Sequence, residues 1–243
     1  MDILFSGTVP KEAEYADQNE DTRAVDAARG RIVVCDGASE SFDAKGWASA
    51  LRDLFVRTGT IDEPGLEAAI QQAAADHDVS TLSWSLQAAW ERGSFATLLG
   101  VNWDVTGRSL SLCCVGDSLF VLRRLDGSTE TFPYQTAEEF TQRPQLLSTI
   151  HAHNAFVTNA DFAAACLREW HVASDEEATV LCMTDALGAW LLGRLTDGDF
   201  TALDRLTGLR DEEELVHLVE FERSAGRMRR DDTTLVVARL TQA

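Results

Sequence analysis

Basic residues are scarce in this chain. Lys and Arg number 21 against 40 Asp and Glu, a formal net charge of −19 over 243 residues. Such a surplus excludes nucleic acid and anionic membranes as partners on electrostatic grounds. It leaves cations, or a basic partner, as what the surface can attract. Metal-type cysteine spacing is also missing. The five cysteines, Cys35, Cys113, Cys114, Cys166 and Cys182, are odd in number and contain no CxxC pair. That excludes a disulfide framework or a zinc ribbon, and reads as reduced core thiols in a cytoplasmic protein. No apolar run reaches the length of a membrane span. The first 15 residues lack the basic start and apolar core of a secretory signal. No repeat or low-complexity tract is present. Histidine offers little: His151 and His153 would share one face of a strand but have no third ligand, and His77, His171 and His217 read as isolated surface residues.

What is present suits a packed domain. Apolar residues make up 45% and charged residues 25%, and one domain over 1–243 is the simplest reading. A β-branched run at 32–35 predicts a buried strand. Helical spacing of Trp47, Ala50, Leu51, Leu54 and Phe55 predicts a helix over 42–58. Further helices are predicted at 64–76 and 81–91, with Trp84 off the apolar stripe. Short β-rich runs at 94–103, 109–115 and 118–124 predict an antiparallel meander with turns at Thr106-Gly107 and Asp126-Gly127. Residues 134–159 read as a long loop with a short helix or strands, and 162–170 as a short helix. A strand at 178–183, helices at 187–195, 199–206 and 211–224, and a last strand at 233–240 complete the chain, which opens on an edge strand at 2–8. Strands come in runs and helices come in runs, so the class is α+β.

The acidic residues carry the chemistry. Asp36 and Asp185 each end an apolar strand, Asp231 and Asp232 precede one, and Glu20-Asp21 lies in a polar loop before the strand that leads to Asp36. Locally, Asp36-Gly37 is a turn after a strand, and Gly116-Asp117-Ser118 is a hairpin turn between strands. Strand ends in a packed sheet are rigid, however, and carboxylates brought together there repel one another unless cations lie between them. Oxygen donors on rigid elements, without Cys or His, favour magnesium or manganese over zinc.

Six short blocks occur in one order along the chain: Asn19-Glu20-Asp21, Val34-Cys-Asp36-Gly37, Gly93-Ser-Phe-Ala-Thr97, Val115-Gly-Asp117-Ser118, Thr184-Asp185 and Arg230-Asp-Asp-Thr-Thr-Leu-Val-Val237. Together they resemble the signature blocks of the metal-dependent protein phosphatases of the PPM (type 2C) family, bacterial type. The resemblance covers almost the whole chain. It implies a four-layer α/β/β/α sandwich, two antiparallel β-sheets flanked by helices, with metals in a cleft at one edge. It implies hydrolysis of phosphoserine and phosphothreonine by a metal-activated water at a binuclear Mg2+ or Mn2+ centre. Asp36 would bridge two ions; the Gly37 carbonyl and Glu20 would hold one, Asp185 and Asp231 the other. Asp117 matches the aspartate of a third, weaker site, so the resemblance implies two ions and a third, weaker one. Asp21 and Asp232 would act from behind the ligands or through water. Two cations lower the pKa of a bridging water, and no protein nucleophile is needed.

Three positions depart from the family pattern. Ala16 stands where an arginine usually grips the substrate phosphate; Lys11, Arg23, Lys45 or Arg230 could take its place, and the sequence selects none. Ala38 stands where a histidine is often found, and Ala186 where a glycine follows Asp185. The implied partners are a phosphorylated protein substrate and a cognate Ser/Thr kinase, with no nucleic acid, no membrane, and a monomeric state. Two other functions remain open: a pseudophosphatase that binds or senses a phosphorylated partner, and a phosphatase of a small phosphorylated molecule.

Overall fold

A computed structural model describes residues 1–173 and 177–240. Its strands are β1 (Asp2–Val9), β2 (Thr22–Asp26), β3 (Arg31–Cys35), β4 (Phe95–Ala96), β5 (Leu98–Asp104), β6 (Ser109–Val115), β7 (Leu119–Arg124), β8 (Thr129–Phe132), β9 (Leu147–Ser148), β10 (Leu167–His171), β11 (Ala178–Met183) and β12 (Thr233–Leu240). Its α-helices are α1 (Ala44–Thr58), α2 (Glu63–Ala75), α3 (Trp84–Arg92), α4 (Phe162–Cys166), α5 (Asp185–Thr196), α6 (Thr201–Thr207) and α7 (Glu212–Ser224). One sheet runs β1-β12-β11-β7-β8 and a second runs β10-β6-β5-β3-β2. All pairings are antiparallel.

Strand alternation sorts the side chains into layers. Ile32 and Val34 point into a core shared with Phe120, Leu122, Val180, Cys182 and Val236, which lies between the two sheets. Val33 and Cys35 point the other way, onto Trp47, Leu51, Phe55 and Leu66 of α1 and α2. On the far side, Leu119, Val121, Leu181, Met183, Leu235 and Val237 meet Leu187, Leu191, Leu206, Leu215 and Val219 of α5 to α7. The order is helices, sheet, sheet, helices: the α/β/β/α sandwich that the sequence blocks imply.

Helix ends follow capping chemistry. The Asp43 carboxylate accepts from Gly46 N at 2.9 Å, and α1 stops at Gly59, whose φ of 76° suits glycine. Asp62 caps α2 ahead of Pro64, and Asp211 caps α7 at Glu214 N, 2.9 Å. Gly100 in β5 lets the Phe55 ring of α1 approach the strand closely, because a Cβ there would sit 2.3 Å from the ring. Gly100→Ala should therefore lower stability by about 1–3 kcal/mol through overpacking. A urea midpoint equal to wild type would show that the ring has room to move.

Three sequence expectations change. The helix expected over 162–170 ends at Cys166, and Leu167–His171 pairs with β6 as an edge strand. The helix expected over 81–91 begins at Trp84 and buries no side chain, and Trp84 is 84% exposed. His77 is not an isolated surface group: its Nε2 lies 3.1 Å from Asp43 Oδ2, and its ring meets Phe42 and Trp90 edge-on. The thiols are free, and Cys35, Cys113, Cys114 and Cys182 are buried. No helix among the described residues is long and apolar enough to cross a membrane.

Candidate functional site

Register brings the acidic residues to one edge. Met183 pairs with both Leu119 and Leu235, so Asp117, Asp185 and Asp231-Asp232 share one end of their sheet. In the other sheet Thr22 pairs with Cys35, which sets Glu20-Asp21 against Asp36. Thr97 ties the two ends together. Its hydroxyl accepts from Asp36 N at 2.9 Å and lies 3.1 Å from the Ser118 hydroxyl, while its own N–H donates to the Asp36 carbonyl at 2.8 Å. The Gly37 N–H donates to the Glu20 carbonyl at 3.3 Å. Gly37 is needed on packing grounds, because a Cβ would fall 2.6 Å from the Ala44 carbonyl oxygen at the start of α1.

The carboxylates divide by what they touch. Asp232 is spent on the backbone: Oδ1 accepts from Lys11 N at 2.6 Å and Oδ2 from Glu20 N at 2.7 Å. It staples the Glu20 loop to the start of β12. Asp21 accepts from the Thr184 hydroxyl at 2.9 Å on Oδ2, whereas its Oδ1 is buried without a partner. Asp185 opens α5, is 6% exposed, and leaves Oδ1 buried without a partner. Glu20 accepts from the Ser39 hydroxyl. Asp231 Oδ1 accepts from Asp232 N at 3.0 Å, with Lys11 Nζ 3.8 Å away. Arg229 contacts Asp185 Oδ2 and stands 3.6 Å from Asp231 Oδ2. The buried Arg223 holds the Asp231 carbonyl and the Thr233 hydroxyl, which fixes the loop from behind.

Burial raises four carboxyls at this edge, those of Glu20, Asp21, Asp36 and Asp117. Asp36 is pushed well above the usual range by burial, then by the charges of Asp21, Asp117 and Asp231. Asp21 is raised to about 7 and Asp117 upward, burial being the main cause in both. Glu20 is raised by burial as well. A raised carboxyl makes the folded chain bind protons more tightly than the unfolded one, so stability falls as pH rises. The metal-free protein should lose stability between about pH 4 and the Asp21 value near 7, by on the order of a few kcal/mol. Melting temperature against pH in the presence of a chelator checks this; a rise across that interval would contradict it.

The donor set suits a hard divalent cation. Buried oxygens of Asp21 and Asp185 lack any partner, and Asp36 stands amid other carboxylates. Yet among the described residues no group of three or more His, Cys, Asp and Glu side chains is close enough, as it stands, to hold an ion. The residues fit a metal in type, and Arg229 stands within the set. Ala38 to Ser41, which follow Asp36-Gly37 in the chain, line a cavity of about 660 Å³ together with Arg92, Phe95, Arg143 and His153.

Of the basic residues considered from sequence, three are tied elsewhere. Arg23 binds Glu212 and Ser6, Lys45 donates to the Asp17 carbonyl at 2.7 Å, and Arg230 pairs with Glu12 at 3.1 Å. Ala16 lies exposed in a 3-10 helix, Ala13–Gln18. His151 contacts Glu67 at 3.1 Å, and His153 packs on Phe95, so they form no joint site. Arg229 was the residue missed. Its signal was its place two residues before Asp231, in a run of two arginines and two aspartates.

No protein-family description and no curated protein matches the sequence. Solved structures do match. The photosystem II phosphatase PBCP superposes with a TM-score of 0.62 at 15% identity, covering 98% of this chain and 99% of that one. The Mycobacterium tuberculosis serine/threonine phosphatase PstP/Ppp gives 0.60 at 18% identity, covering 99% and 100%. RsbX in complex with magnesium gives 0.51 at 17% identity, covering 96% and 92%. The chain has the fold of the PPM-type serine/threonine phosphatases over nearly its full length.

Proposed function

We propose that residues 1–243 form one metal-dependent phosphoprotein phosphatase acting on phosphoserine and phosphothreonine. The observation that carries it is the set of buried, unpartnered carboxylate oxygens at the shared edge of both sheets. A chain that kept this fold for packing alone would have no use for them, since a buried unpaired carboxylate costs stability. Two neighbours named as phosphatases, and a third, RsbX, in complex with magnesium, support the same reading.

Glu20, Asp36, the Gly37 carbonyl, Asp185 and Asp231 would hold two Mg2+ or Mn2+ ions, and Asp117 could add a third. Such ions, when bound, acidify water and offset the charge of the phosphate under attack. The chain's own residues do the rest. Asp232 and Arg223 hold the loops that carry Glu20 and Asp231, and Thr97 holds the backbone of Asp36. The cavity beside Ser39 is large enough for the residues that flank a phosphorylated side chain. Its Arg92 and Arg143 supply positive charge in an otherwise acidic chain. A phosphorylated protein, a kinase that opposes the enzyme, a monomeric state and a cytoplasmic location complete the proposal.

The test is hydrolysis of a phosphopeptide panel with Mn2+ or Mg2+, against a chelator control. Release of phosphate only with metal supports the reading, and no release with either metal overturns it. The position of Ala16, exposed and without a basic neighbour in its helix, favours a second reading: a module that binds phosphopeptide without turnover. Calorimetry showing phosphopeptide affinity with no hydrolysis would select it.

A further inference from the structure

Within the acidic edge, one guanidinium stands where a cation is needed. Arg229 reaches between the last turn of the chain before β12 and the first residue of α5, touching Asp185 Oδ2 with Asp231 Oδ2 at 3.6 Å. Its side chain is 44% exposed while that of Asp185 is 8% exposed. The charge thus enters from solvent and meets a buried carboxylate. The backbone beneath it is fixed, because Arg223 binds the Asp231 carbonyl and Arg230 pairs with Glu12. For an ion to reach Asp185 Oδ2 the Arg229 side chain has to leave, and the carboxylates, which as they stand gather in no group of three, have to close on it. Asp185 Oδ1 is buried and unpartnered beside it, so Arg229 satisfies half of that carboxylate and leaves the other half for something else.

We infer that Arg229 is the resident cation of the Asp185–Asp231 pair, and that a divalent ion must displace it to bind there. The inference rests on the metal-centre reading of this edge. Its physical basis is competition for the same lone pairs. A guanidinium and a metal ion cannot both sit on Asp185 Oδ2, so the contact that steadies the metal-free chain weakens metal binding by the same amount. The exposed half of the guanidinium gives it a route out to water at low cost. Arg229 thereby sets how much metal is needed before the second position fills.

The experiment is calorimetric titration of Mn2+ into chelator-treated full-length protein, comparing wild type with Arg229→Ala and Arg229→Lys. The Ala variant should bind Mn2+ about fivefold more tightly at one position, the factor a half-exposed ion pair is worth. Its metal-free melting temperature should fall below wild type, and with saturating Mn2+ the two should converge. Lys keeps the charge without the planar fork and should lie between. Equal or weaker Mn2+ binding by Arg229→Ala, or no Mn2+ binding by any of the three, overturns the inference. The readout is independent of turnover. If affinities rank as expected and no phosphopeptide is hydrolysed, the inference stands and the phosphatase reading falls.

Discussion

Asp36→Asn should lower kcat for phosphopeptide hydrolysis by at least ~10³-fold, yet raise the melting temperature of the metal-free protein. The two effects have one cause. Asp36 is buried among other carboxylates: burial first, then Asp21, Asp117 and Asp231, push its proton affinity up. Without metal, removing that charge relieves repulsion in a poorly solvated place. With metal, the same charge is the one that would bridge two ions. The electrostatic stabilisation lost there is several kcal/mol, at tenfold in rate for each 1.36 kcal/mol. Because the Asp36 amide and carbonyl are held by Thr97, the variant should keep the local backbone. Phosphate release and differential scanning calorimetry in chelator measure the pair. Wild-type turnover, or a lower metal-free melting temperature, would refute the placement of Asp36 at the centre of the site.

The largest effect on stability is expected at Trp47. Its side chain is 1% exposed within the core between α1 and the second sheet, among Val33, Cys35, Leu51 and Leu147. The indole Nε1–H donates to the Leu147 carbonyl at 2.9 Å, so this one residue also ties the β9 segment to α1. Trp47→Ala combines a large cavity with a buried carbonyl left unpaired. It should cost about 3–5 kcal/mol, on the order of 10 °C in melting temperature for a chain of this size. Trp47→Phe keeps most of the bulk and loses only the hydrogen bond, for about 1–2 kcal/mol. If both variants cost the same, the hydrogen bond and not the cavity dominates. If neither unfolds more readily than wild type, the packing described for α1 is wrong.

Much of the fold was legible because its strands obey period two and its helices carry caps. Ile32 to Cys35 alternate between two cores, as a strand buried on both faces must. Of the expected apolar face in 42–58, Trp47, Leu51, Leu54 and Phe55 are buried in α1, while Ala50 is only partly covered. Segment 162–171 was misread for a physical reason. Ala163-Ala-Ala-Cys166 and Leu167-Arg-Glu169 favour a helix locally, and most of β10 is exposed, so no alternation marks it. The free edge of β6 supplied the backbone partners, which no local pattern could reveal. Strand β2 was hidden in the same way: it gains its identity by pairing with β3 and lies in a segment of mixed polarity.

For the site, the order of residues already marks which carboxylates end or precede strands. Position at a strand end is a local property, fixed by where an apolar run stops. Tertiary structure alone decided what each one does. Chain separation hides that Asp232 is used up on the amides of Lys11 and Glu20, because those contacts join residues more than 200 positions apart. It also hides which cation faces the cluster. Lys11, Lys45, Arg23 and Arg230 were equal candidates in one dimension. Folding ties Lys45, Arg23 and Arg230 to other partners, sets Lys11 3.8 Å from Asp231, and places Arg229 on both Asp185 and Asp231. A charge acts through distance in space, so its role is settled only once the sheets have brought the strand ends together.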